Sequence, residues 1–158
     1  MPLLCISLLA SLLLPLSLSC ETKRSQREVG DHFQTIVQTH LDNTRENISI
    51  SVGNNCTAKK YPLPNCRSDR PDFSSTLLKL ACKMHNLQIP HTEALVETIQ
   101  LSIGCPCPSK ATKDSPLSPR KRKRATRQMR KLCRAQAILS SMTGCYQMLN
   151  VQLNTSNA

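Results

Sequence analysis

The stretch LCRAQAILSSMTGCYQML, residues 132–149, places an apolar side chain at alternating intervals of three and four residues. Leu132, Ala135, Leu139, Met142, Tyr146 and Leu149 keep the α-helical period, and Leu153 extends it. The spacing predicts a helix over about 125–153 with one apolar face. A helix of that kind is stable only against other segments, so the rest of the chain is read for its partners.

Three further segments carry the same period. Val29, Phe33, Ile36, Val37, His40 and Leu41 predict a first helix over about 26–42. Asp72 is a good amino-terminal cap for a second over about 72–87, whose apolar face is Phe73, Leu77, Leu80, Ala81, Met84 and Leu87. Thr92 is the expected cap of a third over about 92–104, with Leu95, Val96, Ile99, Ser102 and Ile103, ended by GCPCP. No stretch alternates as a strand does, so the fold class is all-α. The links 43–71, with Pro62, Pro64 and Pro71, and 105–124, rich in Pro, Ser and Lys, are long, whereas 88–91 is short. A short link joins antiparallel neighbours and a long one lets the next helix start in the same direction. The expected architecture is an up-up-down-down four-helix bundle with two crossover loops.

Residues 1–19, MPLLCISLLASLLLPLSLS, form an uncharged apolar run too short to span a bilayer, and read as a secretory signal that leaves Cys20 first in the mature chain. The rival readings, a membrane anchor and a bacterial lipid-bearing Cys20, are disfavoured because no cation precedes the run and because the sequons make little sense in most bacteria. What remains, 20–158, is one domain by length, with eight of the nine cysteines. An even count in an exported chain points to disulfides, and with Phe33, Tyr61, Phe73 and Tyr146 as its only aromatics the aliphatic core leans on them. Asn47, Asn55 and Asn154 each begin an N-glycosylation sequon. Up to Asp114 the mature chain has twelve basic residues against ten acids, and beyond it nine basic residues and no acid.

The expected topology orders the cysteines. It puts Cys20 and Cys145 at one end, Cys56 and Cys133 at the other, and Cys66 beside Cys105 or Cys107, giving Cys20–Cys145, Cys56–Cys133 and Cys66–Cys105 (or Cys107). Cys82 lies too far along its helix for the remaining cysteine without a chain reversal, so a buried thiol is expected there.

At this point 132–149 resembles the last helix of the short-chain helical cytokines that include interleukin-7 and thymic stromal lymphopoietin. The matching positions are Leu132, Cys133, Cys145, Tyr146 and Leu149, and Cys20, Cys56, Cys66 and Cys105 (or Cys107) complete the family's cysteine order. The interval from Cys56 to Cys66 is short for interleukin-7, Tyr146 replaces the usual Trp, Cys82 and the second cysteine of CPC are extra, and the basic run looks more like the lymphopoietin's. The resemblance implies a secreted cytokine, monomeric before it binds, that assembles an interleukin-7-type alpha receptor and the common gamma chain to signal lymphocyte growth and survival. It implies contacts from the first and third helices to the alpha chain and from the first and fourth to the gamma chain, with Asp31, Gln34, Gln38, Glu93, Glu97 and Gln147 on the outer faces. A lymphopoietin-like cytokine is the nearer alternative, and a heparin-binding or antimicrobial cationic protein the alternative of another class.

The cationic run SPRKRKRATRQMRKLC, 118–133, has three readings. Export argues against nucleic acid, and cleavage after Arg124 would leave the last helix tethered through Cys133 and Cys145. A surface for heparan sulfate is the third, built from Arg120, Lys121, Arg122, Lys123, Arg124, Arg127, Arg130, Lys131 and Arg134, with the helical part expected roughly opposite Leu132, Leu139 and Met142. Catalysis is not expected. His40 and Lys83 sit in fragments like those of a pancreatic ribonuclease, but no histidine follows His91 to complete the acid–base pair. CPC lacks nearby partners for a metal, no phosphate loop or nucleophile elbow is present, and neither cofactor nor membrane insertion is expected.

Overall fold

The computed structural model describes residues 20, 24–56, 61–67, 71–108 and 121–156, with the backbone alone at 121–123. The expected signal at 1–19 and the loop segment 109–120 lie outside the described residues. Among the described residues the regular elements are all helical: α1 (Gln26–His32), a π-helical turn (Phe33–Val37), α2 (Gln38–Val52), α3 (Phe73–His85), α4 (Glu93–Ile103) and α5 (Lys121–Thr155). The first three are one continuous rod, so four rods build the core. α3 packs on α4 and α5, α2 on α5 and α4, and α1 on α5, α4 and α3. No helix among the described residues is long and apolar enough to cross a membrane.

The first rod runs past the expected end near 42 and stops at Val52. Leu41, Thr44, Ile48 and Val52 continue its buried stripe at helical intervals. Thr44 takes a core position that a hydropathy pattern does not credit, and it is 4% exposed. Gly53 ends the rod at φ 52°, a backbone region that favours glycine.

The π turn solves a register problem. Val29, Phe33, Val37 and Leu41 are spaced four apart three times running, and on a 3.6-residue helix each step drifts by about 40°. The wider i→i+5 turn over Phe33–Val37 cancels that drift, so Val29, Val37 and Leu41 are all buried. Ile36, expected in the core, is turned outward and is 50% exposed. Phe33 stacks on Tyr146 of α5, with ring centroids 4.1 Å apart and planes 14° from parallel. Close by, Gly30 marks where α1 approaches the end of α5, since a Cβ there would lie 2.5 Å from Leu153 Cδ1.

Caps follow the chemistry of their side chains. Ser25 Oγ accepts from the Glu28 backbone N–H, and Glu28 Oε2 accepts from the Ser25 backbone N–H at 2.8 Å, a reciprocal capping box. The Ser25 backbone N–H, and then its hydroxyl, hold the Glu28 carboxyl below the usual carboxylate range. This support is present above the ordinary glutamate pKa of about 4.3 and is lost as pH falls through the folded value. Ser25→Ala should cost about 1 kcal/mol and speed amide exchange in α1 at neutral pH, with the difference from the parent narrowing in acid. Asp72 Oδ1 caps α3 by accepting from the Ser75 backbone N–H at 3.0 Å, as expected. Thr92 stands at the N-cap of α4 as expected but makes no side-chain capping bond, because its buried hydroxyl donates to the Ile89 carbonyl at 2.8 Å.

Among the described residues the disulfides are Cys56–Cys133, Cys66–Cys145 and Cys82–Cys107. The first is the pairing the topology leads one to expect. The expected Cys20–Cys145 and Cys66–Cys105 (or Cys107) are not formed. The Arg24 backbone N–H donates to the Ile103 carbonyl at 3.3 Å, which holds the chain after Cys20 at the end of α4. Cys145 is met instead by Cys66, which is 2% exposed on the approach to α3. Cys82 is no lone thiol, because the chain reversal it needs exists. Gly104 takes φ 80°, and the backbone N–H groups of Gly104 and Cys105 both donate to the Gln100 carbonyl, at 2.8 and 3.1 Å. The chain thus folds back along α4, Gln100 Nε2 donates to Cys107 Sγ at 3.1 Å, and Cys107 reaches Cys82 with Cα atoms 5.4 Å apart. Cys20, half-buried, and Cys105, buried, stand outside the three bridges.

Candidate functional surfaces

Each helix buries its periodic face, which leaves the intervening side chains to meet any partner. Asp31 on α1, Gln34 in the π turn, Gln38 on α2, Glu93 and Glu97 on α4 and Gln147 on α5 are all exposed. On α4, Glu93, Glu97 and Leu101 follow one another at four-residue steps, and Leu101 is 71% exposed. Leu101, Glu97, Gln100 and Gly104 line a groove whose other wall is Arg24 at the approach to α1. An apolar residue ringed by polar ones in this way suits a macromolecular contact better than an enclosed ligand. Leu101 was readable in the sequence, because it falls off the face drawn by Leu95, Val96, Ile99 and Ile103.

A second exposed surface lies on the outer side of α5. Met148 and Val151 are 36% and 64% exposed beside Gln147. With Gly144 of the same helix they border a groove walled by Arg67, Pro71 and Phe73 at the start of α3. The Cys66–Cys145 bridge pins the α3 approach to α5 at this point, so both walls are rigidly placed. The candidate surfaces therefore divide between the α1/α4 side and the α5/α3 side rather than meeting at one point. Asn47 on α2, Asn55 beyond Gly53 and Asn154 in the last turn of α5 are exposed.

Of the cationic residues, Arg120 and the side chains of Lys121, Arg122 and Lys123 lie outside the described residues. Arg124, Arg127, Arg130 and Arg134 are exposed and Lys131 is half-buried. The expected orientation opposite the apolar face holds for only part of this set. Arg124, Arg127 and Lys131 each stand eighteen residues, five helical turns, ahead of the buried Met142, Cys145 and Leu149. They occupy the core-facing side of α5 before it enters the core, and line one shallow groove with Ala125 and Gln128. Arg130 and Arg134 stand outside that line, five turns ahead of the exposed Met148 and Gln152. α5 carries no acid, and none of these five cations takes part in an ion pair among the described residues.

Among the described residues, no group of three or more His, Cys, Asp or Glu side chains could hold a metal ion. Among the same residues two buried polar atoms, Ser102 Oγ and Tyr146 OH, have no hydrogen-bond partner. No family model matches this chain, and neither a curated protein nor a solved structure does.

Proposed function

We propose that the protein is a secreted helical cytokine of the interleukin-7 type that acts by bringing two receptor chains together. The observation that carries this is the pair of separate exposed patches, Leu101 with Glu93 and Glu97 on α4, and Met148 and Val151 with Gln147 on α5. Two faces on a disulfide-fixed scaffold suit an adaptor that joins two partners and needs little ordering on binding. In this reading the four rods run up, up, down, down, the alpha receptor takes the α1/α4 side, and the common gamma chain takes α5 together with α1. Three bridges support passage through an oxidising compartment, in keeping with an exported chain whose Asn47, Asn55 and Asn154 accept glycans.

The test is receptor phosphorylation in cells carrying both chains, either alone, or neither. A signal that requires both is the expected result. Leu101→Asp with Glu97→Lys should raise the half-maximal concentration at least tenfold, the range of a central interface residue, with the unfolding midpoint unchanged. A response that ignores the alpha chain would overturn the proposal. A lymphopoietin-like receptor pair is the second reading, favoured by the cationic head of α5, and its own second chain in place of the gamma chain separates the two.

A further inference from the structure

We infer that the uncovered head of α5 is a binding strip for a sulfated polysaccharide, with Arg124, Arg127 and Lys131 as its floor and Arg130 and Arg134 as its outer edge. This rests on the extracellular part of the reading above and not on the identity of the receptors. It starts from a change of character along one helical face. From Leu132 onward the inner side of α5 is covered by the other rods, whereas its upstream continuation bears cations. α5 spans 35 residues against 13 and 11 for α3 and α4, and residues 124–128 near its start are all exposed. Met129 is the first of its hydrophobic residues to pack against the core.

The chemistry of the strip selects the ligand. Arg124 to Arg134 covers about 15 Å of helix, and five cations along it match a linear chain that carries an anion every few ångströms. Four of the five are arginines, whose planar forks bond sulfate oxygens in pairs. The amino-terminal end of the helix dipole adds positive potential, while the segment's own cations oppose that end. An anionic chain laid here therefore relieves repulsion and adds helical order to the first turns. Base stacking has no basis, because 118–134 contains no aromatic residue. Membrane insertion would need apolar side chains facing outward, whereas between the cations Ala125, Thr126 and Gln128 are exposed and Met129, Leu132 and Cys133 pack in or against the core.

The experiment measures binding of the full, disulfide-bonded chain to heparin, to desulfated heparin, to single-stranded RNA and to phosphatidylserine vesicles. Hydrogen exchange across 121–131 is followed in parallel. Arg124→Gln/Arg127→Gln is compared with Lys79→Gln/Lys83→Gln, which removes the same charge elsewhere. Expected are heparin binding that needs sulfate, slower exchange in 121–131 on binding, at least a tenfold loss for the first pair, and less than twofold for the second. The dependence of log affinity on log salt should fall by about two for the first pair, one for each contact removed. Equal losses for the two pairs, or vesicles or RNA bound as tightly as heparin, would overturn the strip. Receptor phosphorylation separates this inference from the preceding one: a chain that signals through no receptor yet binds heparin by Arg124 and Arg127 leaves the strip standing.

Discussion

Replacing Cys66 and Cys145 together by alanine is expected to lower stability by about 4 kcal/mol, read as a shift in the urea midpoint. The bridge closes a loop with a sequence separation of 79, and the entropy that such a link removes from the unfolded chain grows with the logarithm of loop length. A domain of this size has a net stability of only about 5 to 15 kcal/mol, so the variant should stand close to its unfolding limit at body temperature. The single variant Cys20→Ala decides the pairing. If Cys145 were held by Cys20, Cys20→Ala would strand Cys145 as a buried thiol and lose most of the double variant's effect. With Cys66 as the partner, it leaves the Cys66–Cys145 bridge whole and the midpoint nearly in place. Peptide mapping of the parent should recover Cys66 and Cys145 in one fragment.

Tyr146 is the second position of large effect, and two substitutions there divide the ring from its hydroxyl. The side chain is fully buried and stacked on Phe33, so Tyr146→Ala should cost about 3 to 5 kcal/mol through lost contacts and the cavity left behind. Tyr146→Phe should be neutral or slightly stabilising, because the hydroxyl has no hydrogen-bond partner and its burial brings only desolvation. Burial also pushes the phenol well above its ordinary value near 10. A raised folded pKa means that ionisation favours the unfolded chain. The neutral phenol's contribution is thus complete below about pH 10 and is lost as pH climbs from there. Thermal unfolding followed from pH 8 to 11 should show the parent losing stability more steeply than Tyr146→Phe, and matching curves would mean that the phenol is not sequestered.

The four rods were legible in the sequence because aliphatic residues mark their buried faces almost without interruption, most clearly from Leu132 to Leu149. The extension to Val52 was hidden by Thr44, a polar residue that a helix can bury. Ile36 was misplaced because periodicity assumes one uniform pitch, and the π turn breaks that assumption at the four-residue steps of Val29, Phe33, Val37 and Leu41. Cysteine pairing was the least legible part. It depends on backbone reversals of a few residues, and Gly104, whose left-handed turn carries Cys107 back toward Cys82, was read simply as the end of a helix. For the surfaces, residues between the apolar positions were found outside, as period alone requires. Leu101, Met148 and Val151, apolar residues that fall off the buried faces, went unread, and Arg127 and Lys131 continue the core face rather than oppose it.

The three bridges also imply an order of assembly. Cys82–Cys107 closes over a separation of 25, whereas Cys56–Cys133 and Cys66–Cys145 span 77 and 79. Closing the shorter loop is easier by about 1 kcal/mol of chain entropy, and it ties α3 to the chain that returns beyond α4, the two helices being already neighbours in the sequence. During oxidative refolding this hairpin should therefore be the first unit to become covalently closed. α5 holds one half of both long bridges and would be secured last, so the helix that bears the cationic strip and the Met148 surface would also be the final piece to gain its fixed place.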